Sequence, residues 1–263
     1  MRTPFVICLF SFFLLASCNQ HSATEATTVN NATDTIAYTL TSSQKVFSNT
    51  KDSASVSMTY PIFKGNSPFE KLLTNTVAMQ LSMSDSIIIS PEAYMDSFLG
   101  QYANFIAQNK DYTIGWYEDV DINVLTNTAN HFCIAHSRSS FTGGAHGNTF
   151  LGYTNFDRKS NRIIRLEDVI EEGTLDKLTT IAEPLFRAEQ EIADSVSLEN
   201  AGYFVFDEAA IGKFKLNRNF VLLKEGIQFF YNDYEIAPHA VGTSSVLIPY
   251  TKLNGILKKD FVL

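Results

Sequence analysis

Three histidines, His131, His136 and His146, fall within 16 positions of the chain. Imidazole is a common zinc ligand and the usual general base near neutral pH, so such a group raises two chemistries at once. Spacing argues against a shared ion. His131 and His136 are five apart, and on one regular strand they point to opposite faces. If Gly143 and Gly144 form a two-residue turn between strands, His146 faces Phe141 and His136 faces Leu151. Five residues at ~3.3 Å each then hold His136 roughly 16 Å from His146. No metal and no cofactor are expected, and on this geometry His146 supports the turn, with a ligand contact as the alternative.

The other reactive groups read as structural. Cys133 lies in the apolar run 131–135, where a buried, inert thiol is expected. Carboxylates gather at Glu118-Asp119-Val120-Asp121 and at Glu167, Asp168, Glu171 and Glu172. They could form an acid–base pair, but solvated charge at strand and helix ends is the simpler account. The patterns Gly-x-Ser-x-Gly, His-Glu-x-x-His, a Gly-rich phosphate loop and paired Cys-x-x-Cys are all missing from the sequence. No catalytic residue is assigned.

The elements that must carry these residues follow from periodicity. Residues 35–47 and 53–63 alternate as two strands. Ser67-Pro68-Phe69-Glu70 is a helix start, and that helix runs to about Ser82. A second helix begins at Ser90-Pro91-Glu92 and places Tyr94, Phe98, Tyr102 and Phe105 near a 3.6 period. Residues 116–125, 131–141 and 148–156 form an antiparallel meander. Residues 166–170 form a short amphipathic turn, and a third helix covers 175–186 with a kink at Pro184. Two strands, 220–223 and 227–231, flank a tight turn, 246–250 is a last strand, and 251–257 a short terminal helix. Strands interleaved with helices, without βαβ alternation, indicate an α+β fold. Its mostly antiparallel sheet packs with three or four helices as one compact unit.

Composition bounds the partners. The 263 residues carry 20 Lys+Arg against 28 Asp+Glu, a net charge of −8. An acidic chain lacks the basic face that nucleic acid requires, so no nucleic-acid partner is expected. The first residues read as a leader. Arg2 precedes an apolar run at 5–15, too short to span a ~30 Å bilayer but right for a signal-peptide core. The run ends in Leu15-Ala16-Ser17-Cys18, which resembles the bacterial lipobox, whose cysteine thiol receives a diacylglycerol. Residues 1–17 are thus read as a signal peptide and 18–35 as a lipidated flexible tether rich in Ser, Thr, Asn and Ala. The globular part divides into 36–160 and 161–263. The expected location is the bacterial cell envelope, anchored to the membrane by lipid and facing the periplasm.

Two segments carry a family resemblance. One is Ser-Ser-Phe-Thr-Gly-Gly-Ala-His-Gly at 139–147, followed by Asn-Phe-Asp at 155–157 and Ile-Arg-Leu-Glu-Asp at 164–168. The other is Asn-Phe at 219–220, Glu-Gly-Ile-Gln-Phe-Phe-Tyr at 225–231, Tyr-Glu-Ile-Ala-Pro-His-Ala-Val-Gly at 234–242 and Leu-Ile-Pro-Tyr at 247–250. Over about residues 36–254 the order and spacing resemble the extracytoplasmic domain of lysozyme-sensing anti-sigma factors. The same module is attached, without catalysis, to some peptidoglycan deacetylases. The resemblance implies an α+β fold in which both segments build one unit, and a binding role. It points to Gly143, Gly144, His146, Tyr234, Pro238 and His239 as contact residues. The chain differs in having His239 where a second Tyr follows the Pro, and sigma-factor control is not expected of it. The reading is a lipid-anchored binding module for a basic protein such as lysozyme or for peptidoglycan fragments. The alternative is a cell-wall or glycan hydrolase with a site around His146.

The lipobox reading has a direct test. Cys18→Ala should abolish diacylglycerol labelling and leave an unacylated precursor; unchanged labelling would refute it.

Overall fold

Two β-sheets form the frame of this molecule, whose computed structural model describes residues 26–29, 35–48, 53–82, 90–204, 214–259 and 261. The first strands are β1 (Ala26–Val29), β2 (Tyr38–Ser48) and β3 (Ser53–Ile62). Helices α1 (Pro68–Ser82) and α2 (Pro91–Gln108) follow, then β4 (Trp116–Asn127), β5 (His131–Phe141), β6 (Asn148–Asp157) and β7 (Arg162–Ile164). The second half comprises α3 (Leu166–Val169), α4 (Leu175–Glu189), β8 (Phe220–Leu222), β9 (Gly226–Tyr231) and β10 (Ser244–Pro249). The fold is α+β, as expected. Seven strands form one sheet in sequence order, and β10-β9-β8 form a second.

Both early helices start where their caps predict. Glu70 N–H bonds to Ser67 Oγ while Ser67 N–H bonds back to Glu70 Oε2, each at 3.2 Å. Ser90 Oγ accepts from Ala93 N–H. Phe69, Leu73, Val77 and Leu81, spaced by four, put one face of α1 on the sheet. There they meet Met58, Val120, Ile122, Phe132, Ile134 and Phe156 in the first core. A second core joins α3 and α4 to β8, β9 and β10 through Leu178, Phe186, Phe229 and Val246.

The observed elements add detail to these expectations. β3 and β4 pair in parallel, because α1 and α2 form a crossover between them; among the described residues all the other strand pairs are antiparallel. β1 pairs with β2 inside the stretch read as a tether, through backbone bonds that require no large side chain. β7 extends the first sheet past the division placed at residue 160. α4 runs through Pro184 to Glu189. The terminal helix reduces to one 3₁₀ turn, Tyr250–Lys252. Cys18 and the leader lie outside the described residues.

The two halves are joined along the outward edge of β6. β7 covers that edge only from Asn155 to Asp157. Farther back, Tyr153 N–H donates to Asn219 Oδ1 at 2.9 Å and Leu151 N–H to Asn232 Oδ1 at 2.6 Å. Asn219 Nδ2 donates to Leu151 O at 2.7 Å. Asn155, only 2% exposed, donates to Phe220 O and accepts from Leu222 N–H and His131 Nε2. Side-chain amides thus replace a neighbouring strand. Asn155→Ala should lower unfolding stability by roughly 2–4 kcal/mol, since it strands several buried partners. Chemical denaturation should show that loss within a single transition; a loss under about 1 kcal/mol would contradict the role given to this seam.

Candidate functional site

The β5–β6 connection is a six-residue loop, 142–147, and not the two-residue turn expected. The register follows: His136 faces Gly152, and Leu151 faces Ser137. His146 therefore leaves the hairpin plane and does not oppose Phe141. Gly143 and Gly144 have φ of +97° and +105°, and this opens the loop. A Cβ at Gly143 would lie 2.7 Å from Tyr112 Oη, a hydroxyl already accepting from Trp116 Nε1. At Gly144 the surrounding space is open.

The second contributor is the loop 232–243 between β9 and β10. Asn232 N–H bonds to Glu235 Oε2, and Tyr234 takes the left-handed conformation, φ +63°. Val241 N–H bonds to Pro238 O and Gly242 N–H to His239 O, closing a turn that begins at the stiff Pro238. This turn sets Tyr234 and His239 side by side, their rings 5.7 Å apart and tilted by 22°.

The loops meet ring on ring. His146 stacks on His239 with centroids 3.8 Å apart and planes 14° from parallel. His146 Nδ1 is 2.8 Å from Gly147 O and Nε2 is 3.1 Å from Tyr234 Oη. A carbonyl can only accept, so Nδ1 carries the hydrogen, and in the neutral ring Nε2 accepts from the tyrosine hydroxyl. His239 Nδ1 lies 3.1 Å from Asp233 Oδ2, an ion-pair distance off the hydrogen-bond direction. Asp233 Oδ2 also accepts from Thr149 Oγ1 on β6. Tyr234 is 52% exposed, so the column opens to solvent. Beside it a cleft of about 250 Å³ lies between β4–β6 and the 232–243 loop, lined by Asp119, Asp121, Ser139, Phe230 and Asn232 among others.

His146, Tyr234 and His239 are thus in contact, with Pro238 leading into His239 and the two glycines shaping the loop that carries His146. Asp233 and Thr149 escaped the sequence reading. Asp233 adjoins Tyr234 in the motif, but only the fold shows that it meets His239. The remaining titratable residues lie elsewhere. His131 is buried against Asn155, and desolvation, partly countered by that bond, holds its pKa below the ordinary value. Burial, then the Arg138 charge, pushes His136 down to about 4, so it is neutral at physiological pH. Cys133 is buried and its thiol is pushed up to about 12, consistent with an inert group. Glu118 is not solvated as expected. The alternation of β4 turns it inward with Val120 and Ile122, where it pairs with buried Arg138 and accepts from Tyr94 Oη. Among the described residues no three His, Cys, Asp or Glu side chains form a group that could hold a metal ion.

With that geometry in place, similarity to known proteins divides along the same line. Residues 47–149 match the family model "Deacetylase PdaC", and residues 167–251 match "Protein of unknown function (DUF3298)". Each match covers less than half of the chain. It is 25% identical over 146 residues to the peptidoglycan-N-acetylmuramic acid deacetylase PdaC of Bacillus subtilis strain 168; that match covers 55% of this chain but 30% of the deacetylase. A DUF3298-family crystal structure from Bacteroides fragilis superposes with a TM-score of 0.70 at 22% identity, covering 86% of this chain and 96% of that one. A DUF3298 protein from Pseudomonas aeruginosa PAO1 gives 0.61 at 19% identity, covering 91% and 97%. At these identities the two structures establish the fold alone.

The glycine geometry gives an ordered prediction. Gly143→Ala should cost about 2 kcal/mol, from backbone strain and the Tyr112 contact, and Gly144→Ala about 1 kcal/mol from strain alone. Denaturation midpoints of the two variants would check it; equal costs, or the reverse order, would refute it.

Proposed function

We propose that this chain is a non-catalytic binding module of the bacterial envelope, held at the membrane through a lipidated Cys18. It captures a peptidoglycan fragment on the loops 142–147 and 232–243. The observation that carries this reading is the exposed column of His146, His239 and Tyr234, built by two loops from opposite halves of the chain. Flat ring faces with fixed polar edges are how proteins hold amphipathic ligands at low entropic cost. The partners of the two imidazoles are a phenol, a carbonyl and a carboxylate. None is a serine, threonine or cysteine side chain set against a base, which favours binding over catalysis.

Similarity to a peptidoglycan deacetylase supports a cell-wall role, and the lysozyme-sensing resemblance supports capture over chemistry. A charge of −8 would also speed encounter with a basic protein such as lysozyme, the other partner of this reading. One observation favours the hydrolase alternative: Asp233 lies at ion-pair distance from His239, and a carboxylate beside an imidazole is a common arrangement in acid–base catalysis.

Calorimetry of the full chain with soluble peptidoglycan fragments separates these readings. Binding without turnover is expected, weakened roughly tenfold by Tyr234→Ala and by His239→Ala with melting temperature nearly kept. Cleaved or deacetylated fragments in mass spectra would favour the enzyme. Unaltered affinity in both variants would remove these loops from the site.

A further inference from the structure

The first sheet has two unlike faces. One is packed under α1 and α2. On the other, strand pairing lines up two polar rows. Ser57, Asp119, Ser139 and Thr149 stand side by side on β3, β4, β5 and β6, and Thr59, Asp121 and Ser137 form the next row. All are exposed or half-buried. At ~4.8 Å per strand the first row is about 14 Å long. One row up, Tyr117 and Phe141 stack at 6.3 Å, and a Cβ at Gly147 would come within 3.1 Å of Tyr117 Oη. The polar rows therefore run from an aromatic pair under the 142–147 loop into the cleft beside the His146 column.

Charge on this face is of one sign. Asp119 accepts from Ser57 Oγ, and among the described residues neither Asp119 nor Asp121 has a cationic partner. Arg138 also borders the cleft, but Glu118 neutralises it. Two carboxylates with hydroxyls on both sides suit a ligand that brings both cations and hydroxyls. A folded protein partner would want an apolar, charge-poor centre, which these rows do not offer.

We infer that this open sheet face binds an amino-sugar glycan whose amines are free and protonated, with Asp119 and Asp121 facing the ammonium groups and the hydroxyl rows facing the sugar hydroxyls. The inference rests on the binding-module reading and names its ligand class. Aromatic rings at either end take the apolar faces of the sugars, and the carboxylates decide which glycan is preferred. N-acetylation removes the positive charge and with it the preference.

The test compares a glucosamine oligomer with its fully N-acetylated counterpart, titrated into the full chain at slightly acidic pH and low salt. The free-amine oligomer should bind about fivefold tighter, as expected of two solvent-exposed ion pairs. Raised ionic strength should erode that preference. The double variant Asp119→Asn/Asp121→Asn should abolish it while leaving the melting temperature and the acetylated oligomer's affinity unchanged. Equal binding of both oligomers by the parent chain, or a preference that survives in the double variant, overturns the inference. If equal binding is still weakened by Tyr234→Ala, the binding-module reading stands and only the amine selectivity falls. If neither oligomer binds and lysozyme does, glycan capture falls with it.

Discussion

An edge strand with half its edge uncovered governs this molecule. β6 needs partners for Leu151 and Tyr153, and β7 is too short to reach them. Unpaired backbone amides removed from water cost on the order of 1–3 kcal/mol each, so the edge must be closed by something. Asn219 and Asn232 close it, each with an amide that donates and accepts as a peptide group would. This also blunts an edge that would otherwise invite pairing with another chain.

The His146, His239 and Tyr234 column is a consequence of that closure. Asn219 precedes β8 and Asn232 follows β9, so satisfying β6 fixes the second sheet against the first. Asp233 is the next residue, and the tyrosine and histidine of the column follow within the same loop. Thr149, near the start of β6, then reaches Asp233. The stack of His146 on His239 is thus positioned by backbone hydrogen-bond demand some residues away.

A second constraint keeps the other sheet face open. The buried Arg138–Glu118 pair is bridged by Tyr94 of α2 and reaches Gln80 O of α1, fixing both helices to one side of the sheet. Removing one partner would leave an uncompensated buried charge, which is strongly destabilising. With the helices held there, the Asp119 and Asp121 rows stay accessible.

Much of this was already legible in the chain. Period-two and period-3.6 patterns and the Ser67 and Ser90 caps located nearly every strand and helix, because these signals are local and each residue's environment repeats along its own element. The motifs at 139–147 and 234–242 likewise contain His146, Tyr234 and His239, which the fold brings into contact. Tertiary structure alone decided three things. The 142–147 loop opens because Gly143 and Gly144 adopt positive φ near Tyr112, a contact 31 positions away in sequence. β3 pairs with β4 in parallel because two helices intervene, which periodicity within a strand does not report. Glu118 is buried while Asp119 and Asp121 are not, because a one-residue step along a strand reverses the face. Whether a carboxylate meets solvent or a guanidinium then depends on what the opposite strand presents, and that partner is chosen by the fold.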